Sequence, residues 1–122
     1  MATRSTIAMI AEDGQMVRSV YCHWDGYPDG VGATLREHYT DPAKIQQLLD
    51  LGDISSLRED IGEQHDFASS SDVTTFYGRD RGETGINART HADENEWLGY
   101  RKGNGCEYGY LWNGAWWVTY HI

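Results

Sequence analysis

The chain has 122 residues, of which 39% are hydrophobic, and this is enough for one packed core but not for two. Ten Lys and Arg against nineteen Asp and Glu give a net charge of −9, which repels nucleic-acid phosphates, so we expect no direct binding of nucleic acid. The length therefore predicts a single domain over residues 1–122. Because no secretory leader and no long apolar run is visible, we expect a cytoplasmic protein without membrane contact.

The first elements along the chain are predicted to be the two strands of a β-hairpin. Residues 3–11 are rich in Thr, Ile, Met and Ala, Asp13-Gly14 suits a tight turn, and residues 15–24 return as the second strand. Side chains alternate along a strand, and we expect the apolar, even-numbered side chains of the second strand to face the core. These are Met16, Val20, Cys22 and Trp24.

The second strand leads into residues 21–32, where polar, aromatic and backbone-shaping residues are concentrated. Gly26, Gly30 and Gly32 permit unusual backbone angles and Pro28 fixes one φ, so the loop is expected to have a definite shape. Loops of fixed geometry that carry polar groups are often functional, and we interpret this one as a ligand or partner site. The alternative is a strand-to-helix connection with buried aromatic residues. The candidate site residues are Tyr21, His23, Trp24, Asp25 and Tyr27.

Several motifs occur together in the first half of the chain. They are TRSTIA at residues 3–8, the Asp-Gly turn, YCHWDGY at 21–27, GVG at 30–32 and LGDISSL at 51–57. With these motifs the chain resembles a family of small proteins encoded by tailed bacteriophages and prophages. The resemblance implies a phage accessory protein that acts in the host bacterial cytoplasm against host defence, and it implies no catalytic residue.

Helices are predicted in the middle of the chain. Helical spacing of apolar residues indicates a short helix over 30–39, and a second helix is predicted over 41–51, with a capping Asp41 and a terminating Gly52. Residues 53–61 are predicted to form one further capped helical turn. A loop is expected over 62–72 and a short strand over 73–77.

Residues 78–85 combine glycines with Arg79 and Arg81, whose guanidinium groups are suited to gripping an anion. The alternative is a set of solvated charge pairs, such as Arg79 with Asp80 or Glu83. Residues 86–104 show only scattered apolar anchors and are predicted to be an irregular excursion.

The C-terminal segment carries the clearest hairpin signal, an Asn-Gly pair at 113–114. A two-residue turn there places Trp112 opposite Ala115 and Tyr110 opposite Trp117. We expect one face to present a row of aromatic residues with polar tips, which is interpreted as a stacking platform for a base or a partner-facing patch. Stabilisation of the sheet is the alternative explanation. The row consists of Tyr108, Tyr110, Trp112, Trp117 and His121.

Cys22 and Cys106 are expected to be free thiols, because two cysteines are too few for a disulfide scaffold and lack metal-ligand spacing. A zinc site with His23 and His121 would require the first and last strands to meet. We therefore predict no metal site and no cofactor.

Together these elements predict an α+β domain: an antiparallel sheet from the N- and C-terminal β-hairpins, with two to three short helices between them packed on one side. The leading hypothesis is a non-catalytic phage accessory protein that inhibits a host bacterial protein by stoichiometric binding through an acidic, aromatic surface. The alternative is a binder that sequesters a nucleotide-like small molecule. A small hydrolase that uses His23 and Asp25 is the third hypothesis, although no hydrolase motif is present.

Overall fold

The computed structural model describes residues 2–68 and 72–120, with the side chains of Thr119 and Tyr120 left out. In this part of the chain there are seven strands and four α-helices, and a π-helical turn at Pro28–Gly32 precedes the first α-helix. The elements are β1 (Ser5–Ile10), β2 (Val17–Cys22), α1 (Ala33–His38), α2 (Pro42–Asp50), β3 (Ile54–Ser56), β4 (Thr75–Phe76), α3 (Tyr77–Arg81), β5 (Arg89–His91), α4 (Glu94–Gly103), β6 (Tyr108–Trp112) and β7 (Trp116–Tyr120).

The strands form one mixed sheet in the order β4-β3-β2-β1-β6-β7, and β5 pairs with β2 beside β3. The β1–β6 and β2–β3 pairs are parallel, and the other pairs are antiparallel. The predicted α+β class is confirmed, with a mostly antiparallel sheet that contains both terminal hairpins. The parallel β2–β3 pair is possible because α1 and α2 provide the long crossover that such a pair requires.

Both faces of the sheet are buried, and each has its own hydrophobic cluster. Ile7, Val20 and Tyr110 belong to the larger cluster, which packs against α1 and α2. The alternate side chains of the same strands lie in a second cluster around Trp97 of α4, which also includes Val17. Helices therefore cover both faces, not one face as predicted.

The predicted core face of β2 is only half correct. Val20 and Cys22 are fully buried, but Met16 and Trp24, at its two ends, are each 43% exposed. Val17 and Ser19, on the opposite face, are fully buried because α4 covers them.

Three segments differ from their predicted structure. The predicted turn over 53–61 contains strand β3, because Ile54 pairs with Cys22 and this tertiary pairing overrides the local helical signal. The predicted strand over 73–77 is shorter, Thr75–Phe76, because Tyr77 begins α3, which ends at a left-handed Gly82. The predicted irregular excursion over 86–104 contains β5 and α4.

The register of the C-terminal hairpin is shifted by one residue. Trp112 pairs with Trp116 and Leu111 with Trp117, so the connection has three residues and not two. A one-residue shift moves every side chain of a strand to the other face. Trp117 therefore lies on the α4 face of the sheet and Trp116 on the face of α1 and α2, and the predicted aromatic row is not formed.

Candidate functional site

The loop that follows β2 has a backbone fixed by contacts with its surroundings. The N–H of Gly26 donates to Thr3 O at 2.9 Å, and the buried Tyr110 hydroxyl donates to Gly26 O at 2.6 Å. A Cβ atom on Gly26 would lie 2.7 Å from Thr3 O, so only glycine fits there without a shift. Asp25 has a φ of 58° and is the single non-glycine residue with a positive φ in the described part of the chain. Such backbone strain persists where surrounding contacts enforce it, and it is frequent at functional sites.

Aromatic and acidic side chains are exposed on this fixed loop. Trp24 and Tyr27 are 43% and 42% exposed, respectively, and Asp25 and Asp29 are exposed as well. The Tyr27 hydroxyl donates to Asp25 Oδ1 at 3.3 Å. The loop therefore presents two large rings with two carboxylates between and beside them.

His23 connects the loop to Tyr21 on β2. Its Nδ1 and the Tyr21 hydroxyl are hydrogen bonded at 2.6 Å, and its ring meets the Trp24 ring edge to face at 4.8 Å. Burial lowers the pKa of His23, and the positive charge of Arg4 lowers it further, so the imidazole is neutral at pH 7. His23 makes no hydrogen bond to Asp25 among the described residues, so the acid–base pair expected for a hydrolase is not formed.

A cleft of about 280 Å³ adjoins Tyr21. Its lining combines guanidinium, phenol, amide and carboxylate groups from five separate parts of the chain. The lining residues are Arg4, Tyr21, Asp53, Arg89, Tyr100 and Asn104.

The cleft lies where the edge of β2 changes partner, from β5 to β3. Ser19 pairs with Arg89 of β5 and Cys22 pairs with Ile54 of β3. In between, the N–H of Tyr21 donates to the Asp53 carboxylate at 2.9 Å, which takes the place of a strand carbonyl. The same carboxylate accepts two hydrogen bonds from the guanidinium of Arg89, and this bond to Asp53 raises the pKa of Arg89.

Positive charge surrounds the buried Cys106 thiol beside this cleft. Burial raises the pKa of Cys106 to about 11, while Arg101 and Arg4 oppose the rise. Burial likewise raises the pKa of Tyr21 to about 12, again opposed by Arg4. Neither group ionises near pH 7, so the charges on the cleft wall are those of Arg4, Arg89 and Asp53.

Arg79 and Arg81, the predicted anion ligands, lie on α3. Arg79 is part of the protein interior: it pairs with Asp80 and donates to the carbonyl oxygens of Ile61, Gly62 and Thr74. Arg81 is exposed and pairs with Glu83 at 2.7 Å. Both arginines therefore form charge pairs. The Arg81 pair is solvated, as in the alternative explanation, whereas the pair of Arg79 with Asp80 is buried.

The predicted aromatic platform is divided between the interior and two faces of the sheet. Tyr110 is 1% and Trp112 9% exposed, within the larger hydrophobic cluster. Trp117 is 60% exposed on the opposite face, and His121 lies outside the described residues. Of the other predicted site residues, Tyr21 lies on β2, and His23, Trp24, Asp25 and Tyr27 lie on the loop that follows it.

Sequence reasoning missed most of the cleft. Arg4 and Asp53 lie within motifs that were noted but were not singled out, and Arg89, Tyr100 and Asn104 lie in the segment predicted to be irregular. A usable signal was present, because Asp93 caps α4 by accepting from the N–H of Glu96 at 2.9 Å. An Asp followed three residues later by Glu is a helix-start signal, and it would have placed Trp97 and Tyr100 on one helix.

Within residues 2–68 and 72–120, no cluster of three or more His, Cys, Asp or Glu side chains is arranged to hold a metal ion. Cys22 and Cys106 are both buried and free. No helix in the described part of the chain has the length and apolar character needed to cross a membrane.

The fold and site thus define an α+β protein with a rigid aromatic-acidic loop beside a small arginine-lined cleft. Comparisons with protein-family models, curated proteins and solved structures find no match for this chain. The resemblance to phage proteins therefore stays a prediction.

Proposed function

We propose that the protein acts by stoichiometric binding to a host bacterial protein, a component of a defence system, through the loop formed by residues 23–29. The observation that supports this is the pairing of a fixed backbone with exposed rings at Trp24 and Tyr27. Trp and Tyr are the residues that most often dominate binding energy in protein interfaces. A loop that is already ordered does not lose conformational entropy on association, which favours affinity.

Charge defines the expected partner surface. Asp25 and Asp29 flank the rings, His23 is neutral at pH 7, and the whole chain carries −9. A basic surface with an apolar pocket is complementary to this loop, and attraction between opposite charges speeds association. Surfaces that hold nucleic acid have this character, so a host protein that handles DNA or RNA is the expected class of partner.

The test is capture from bacterial lysate by the tagged protein, followed by measurement of affinity for the captured partner. The double variant Trp24→Ala/Tyr27→Ala is expected to lose about 2 kcal/mol or more of binding free energy, as for central aromatic anchors. Trp117→Ala is the matched control, because it removes a more exposed Trp from another face of the sheet.

Expression of the same variants in phage-challenged cells tests the biological role. The wild-type chain and Trp117→Ala are expected to lower host defence, and the double variant is not. Equal activity of all three chains, or no partner and no defence phenotype for the wild type, would refute the proposal.

A further inference from the structure

The arginine-lined cleft contains a guanidinium that the fold does not use. The backbone carbonyl of Arg4 accepts from the N–H of Glu107, which anchors the residue at the start of β1. Its exposed side chain lines the cleft and makes no hydrogen bond or ion pair with a side chain of the described residues. Arg79 shows the contrast, because its guanidinium donates to three backbone carbonyls and a carboxylate.

The second arginine of the cleft is held in place and only partly satisfied. Asp53 takes one N–H from each terminal nitrogen of Arg89. A guanidinium has five N–H donors, so the Nε–H and the outer N–H of each terminal nitrogen stay without an acceptor among the described residues. Asp53 itself is 6% exposed and is neutralised by this pair. It fixes the orientation of Arg89 and offsets the charge of that guanidinium, so the net positive charge of the cleft lining is that of Arg4.

The charge of the cleft is opposite to that of the molecule. Two arginines and one aspartate line it, whereas the chain as a whole has nineteen acidic and ten basic residues. Charges farther away than about 8 to 10 Å are screened at physiological salt, so the local arginines dominate the potential inside the cleft. Guanidinium groups bind phosphate with two parallel hydrogen bonds, which gives them geometric selectivity for that group.

The remaining walls favour a ligand that also carries a planar group. Tyr21 and Tyr100 line the cleft, and the Arg89 guanidinium carbon lies 5.7 Å from the centre of the Tyr100 ring. Phenol rings stack on bases and other flat groups. Asn104 adds an amide, whose Nδ2 donates one N–H to Tyr100 O at 2.9 Å, so its second N–H and its Oδ1 can bind a ligand. The volume of about 280 Å³ lies just below the range of about 300 to 1,000 Å³ that is typical of ligand pockets, which favours a small ligand such as a nucleoside monophosphate.

We propose that this cleft binds a small organic phosphate, with the phosphate held by Arg4 and the outer N–H groups of Arg89 and a planar group packed against the tyrosines. This differs from the nucleotide site expected from the sequence, which used Arg79, Arg81, Tyr110 and Trp117. It also does not depend on the protein partner proposed above, because it uses different residues and a different readout.

Isothermal titration calorimetry with adenosine monophosphate, inorganic phosphate and adenosine tests the proposal directly. Adenosine monophosphate is expected to bind, inorganic phosphate to bind more weakly, and adenosine not to bind at the same concentrations. Arg4→Gln is expected to weaken binding of adenosine monophosphate at least about tenfold, the effect of losing a charge-assisted hydrogen bond. This variant is expected to fold normally, because the Arg4 side chain makes no contact that the fold requires.

Arg81→Gln is the matched control, since it removes an exposed arginine of α3 that lies outside the cleft lining. Its affinity for adenosine monophosphate is expected to stay within about twofold of the wild type. Amide chemical shifts in labelled protein are expected to change around Tyr21, Arg89 and Tyr100 on titration.

Each contrary result overturns the proposal. Failure of adenosine monophosphate to bind at about 5 mM excludes a functional site. Equal weakening by Arg4→Gln and Arg81→Gln would mean non-specific attraction, and equal affinity for inorganic phosphate and the nucleotide would mean that the cleft recognises an anion alone.

Discussion

A buried carboxylate, Asp80, organises the point at which β4 becomes α3. It accepts from the N–H of His65 at 3.0 Å and from the N–H of Phe76 at 2.8 Å, and it pairs with Arg79. Burial by itself would raise the pKa of Asp80, but the hydrogen bonds from Arg79, Phe76 and His65 together hold that pKa below its ordinary value of 3.8. Because Arg79 is held by this buried carboxylate, its guanidinium is not available to a ligand.

The stability that Asp80 supplies is expected to depend on pH. Because its pKa is lower in the folded state than in the unfolded state, the contribution is complete above about pH 5 and is lost as pH falls through 3.8 toward the folded pKa. Asp80→Asn is expected to lower the free energy of unfolding by about 2 to 4 kcal/mol at pH 7, since it leaves Arg79 without its charge partner. The difference in the free energy of unfolding between the wild type and Asp80→Asn should be smaller at about pH 3.

Urea denaturation of both chains at the two pH values measures this difference. Asp29→Asn, which neutralises an exposed carboxylate, is the control and is expected to change stability by less than about 0.5 kcal/mol at either pH. A difference of the same size at both pH values would show that the charge of Asp80 is not what stabilises the turn.

At the scale of elements, the register of the C-terminal hairpin has a direct energetic consequence. Trp116 faces Trp112 at 5.4 Å between ring centres, and its Nε1 donates to Tyr39 O at 2.8 Å. Trp117 is 60% exposed and its Nε1 donates to Asn113 Oδ1 in the turn. Trp116→Ala is therefore expected to lower the free energy of unfolding by about 2 to 4 kcal/mol, and Trp117→Ala is expected to lower it by less than about 1 kcal/mol.

Thermal or urea unfolding of the two variants measures the difference. A two-residue Asn-Gly turn would exchange the faces of Trp116 and Trp117. A larger loss of stability for Trp117→Ala than for Trp116→Ala would therefore indicate that register. The pair is well matched, because each variant removes the same side chain from adjacent positions of one strand.

Turn and capping residues in the sequence predicted the elements that are defined by neighbouring residues. Asp13-Gly14 gave the first hairpin, and Asp41 with Pro42 gave α2, whose cap is formed as expected, with Asp41 Oδ1 accepting from the N–H of Ala43 at 3.0 Å. The strands β3 and β5 have three residues each and depend on pairing with β2, which is distant in sequence. Their residues carry no period of their own, so no sequence pattern could reveal them.

The candidate site likewise has one part that the sequence predicted and one part that it did not. The residues from Tyr21, on β2, to Tyr27, in the loop, are contiguous, and the concentration of aromatic and polar residues there is visible in the sequence. The cleft joins Arg4, Asp53 and Arg89, which come from three separate segments and meet only because β2 changes partner along its edge. Knowledge of the strand order is needed before these residues can be grouped.

At the scale of the molecule, the sheet is stabilised from both faces, and α4 provides the second face. Trp97 is fully buried between Ala8, Val17 and Leu111, and its Nε1 donates to Thr6 Oγ1 at 3.2 Å. Tyr100 lies on α4 and Asn104 is its C-cap, so the packing of this helix positions one wall of the cleft. Trp97 is the largest apolar anchor of this helix, and Leu98 and the buried Arg101, which donates to Cys106 O, also attach it.

Trp97→Ala is therefore expected to lower the free energy of unfolding by about 3 to 5 kcal/mol, a large share of the total for a domain of this size. Trp97→Phe keeps most of the buried ring but leaves Thr6 without its donor, and is expected to cost about 1 to 2 kcal/mol. Urea denaturation gives both values, and hydrogen exchange should show α4 losing protection first in either variant. If residues 94–103 were instead an irregular excursion on the surface, Trp97→Ala would cost no more than the exposed Trp117→Ala, and the second face of the sheet would not need α4.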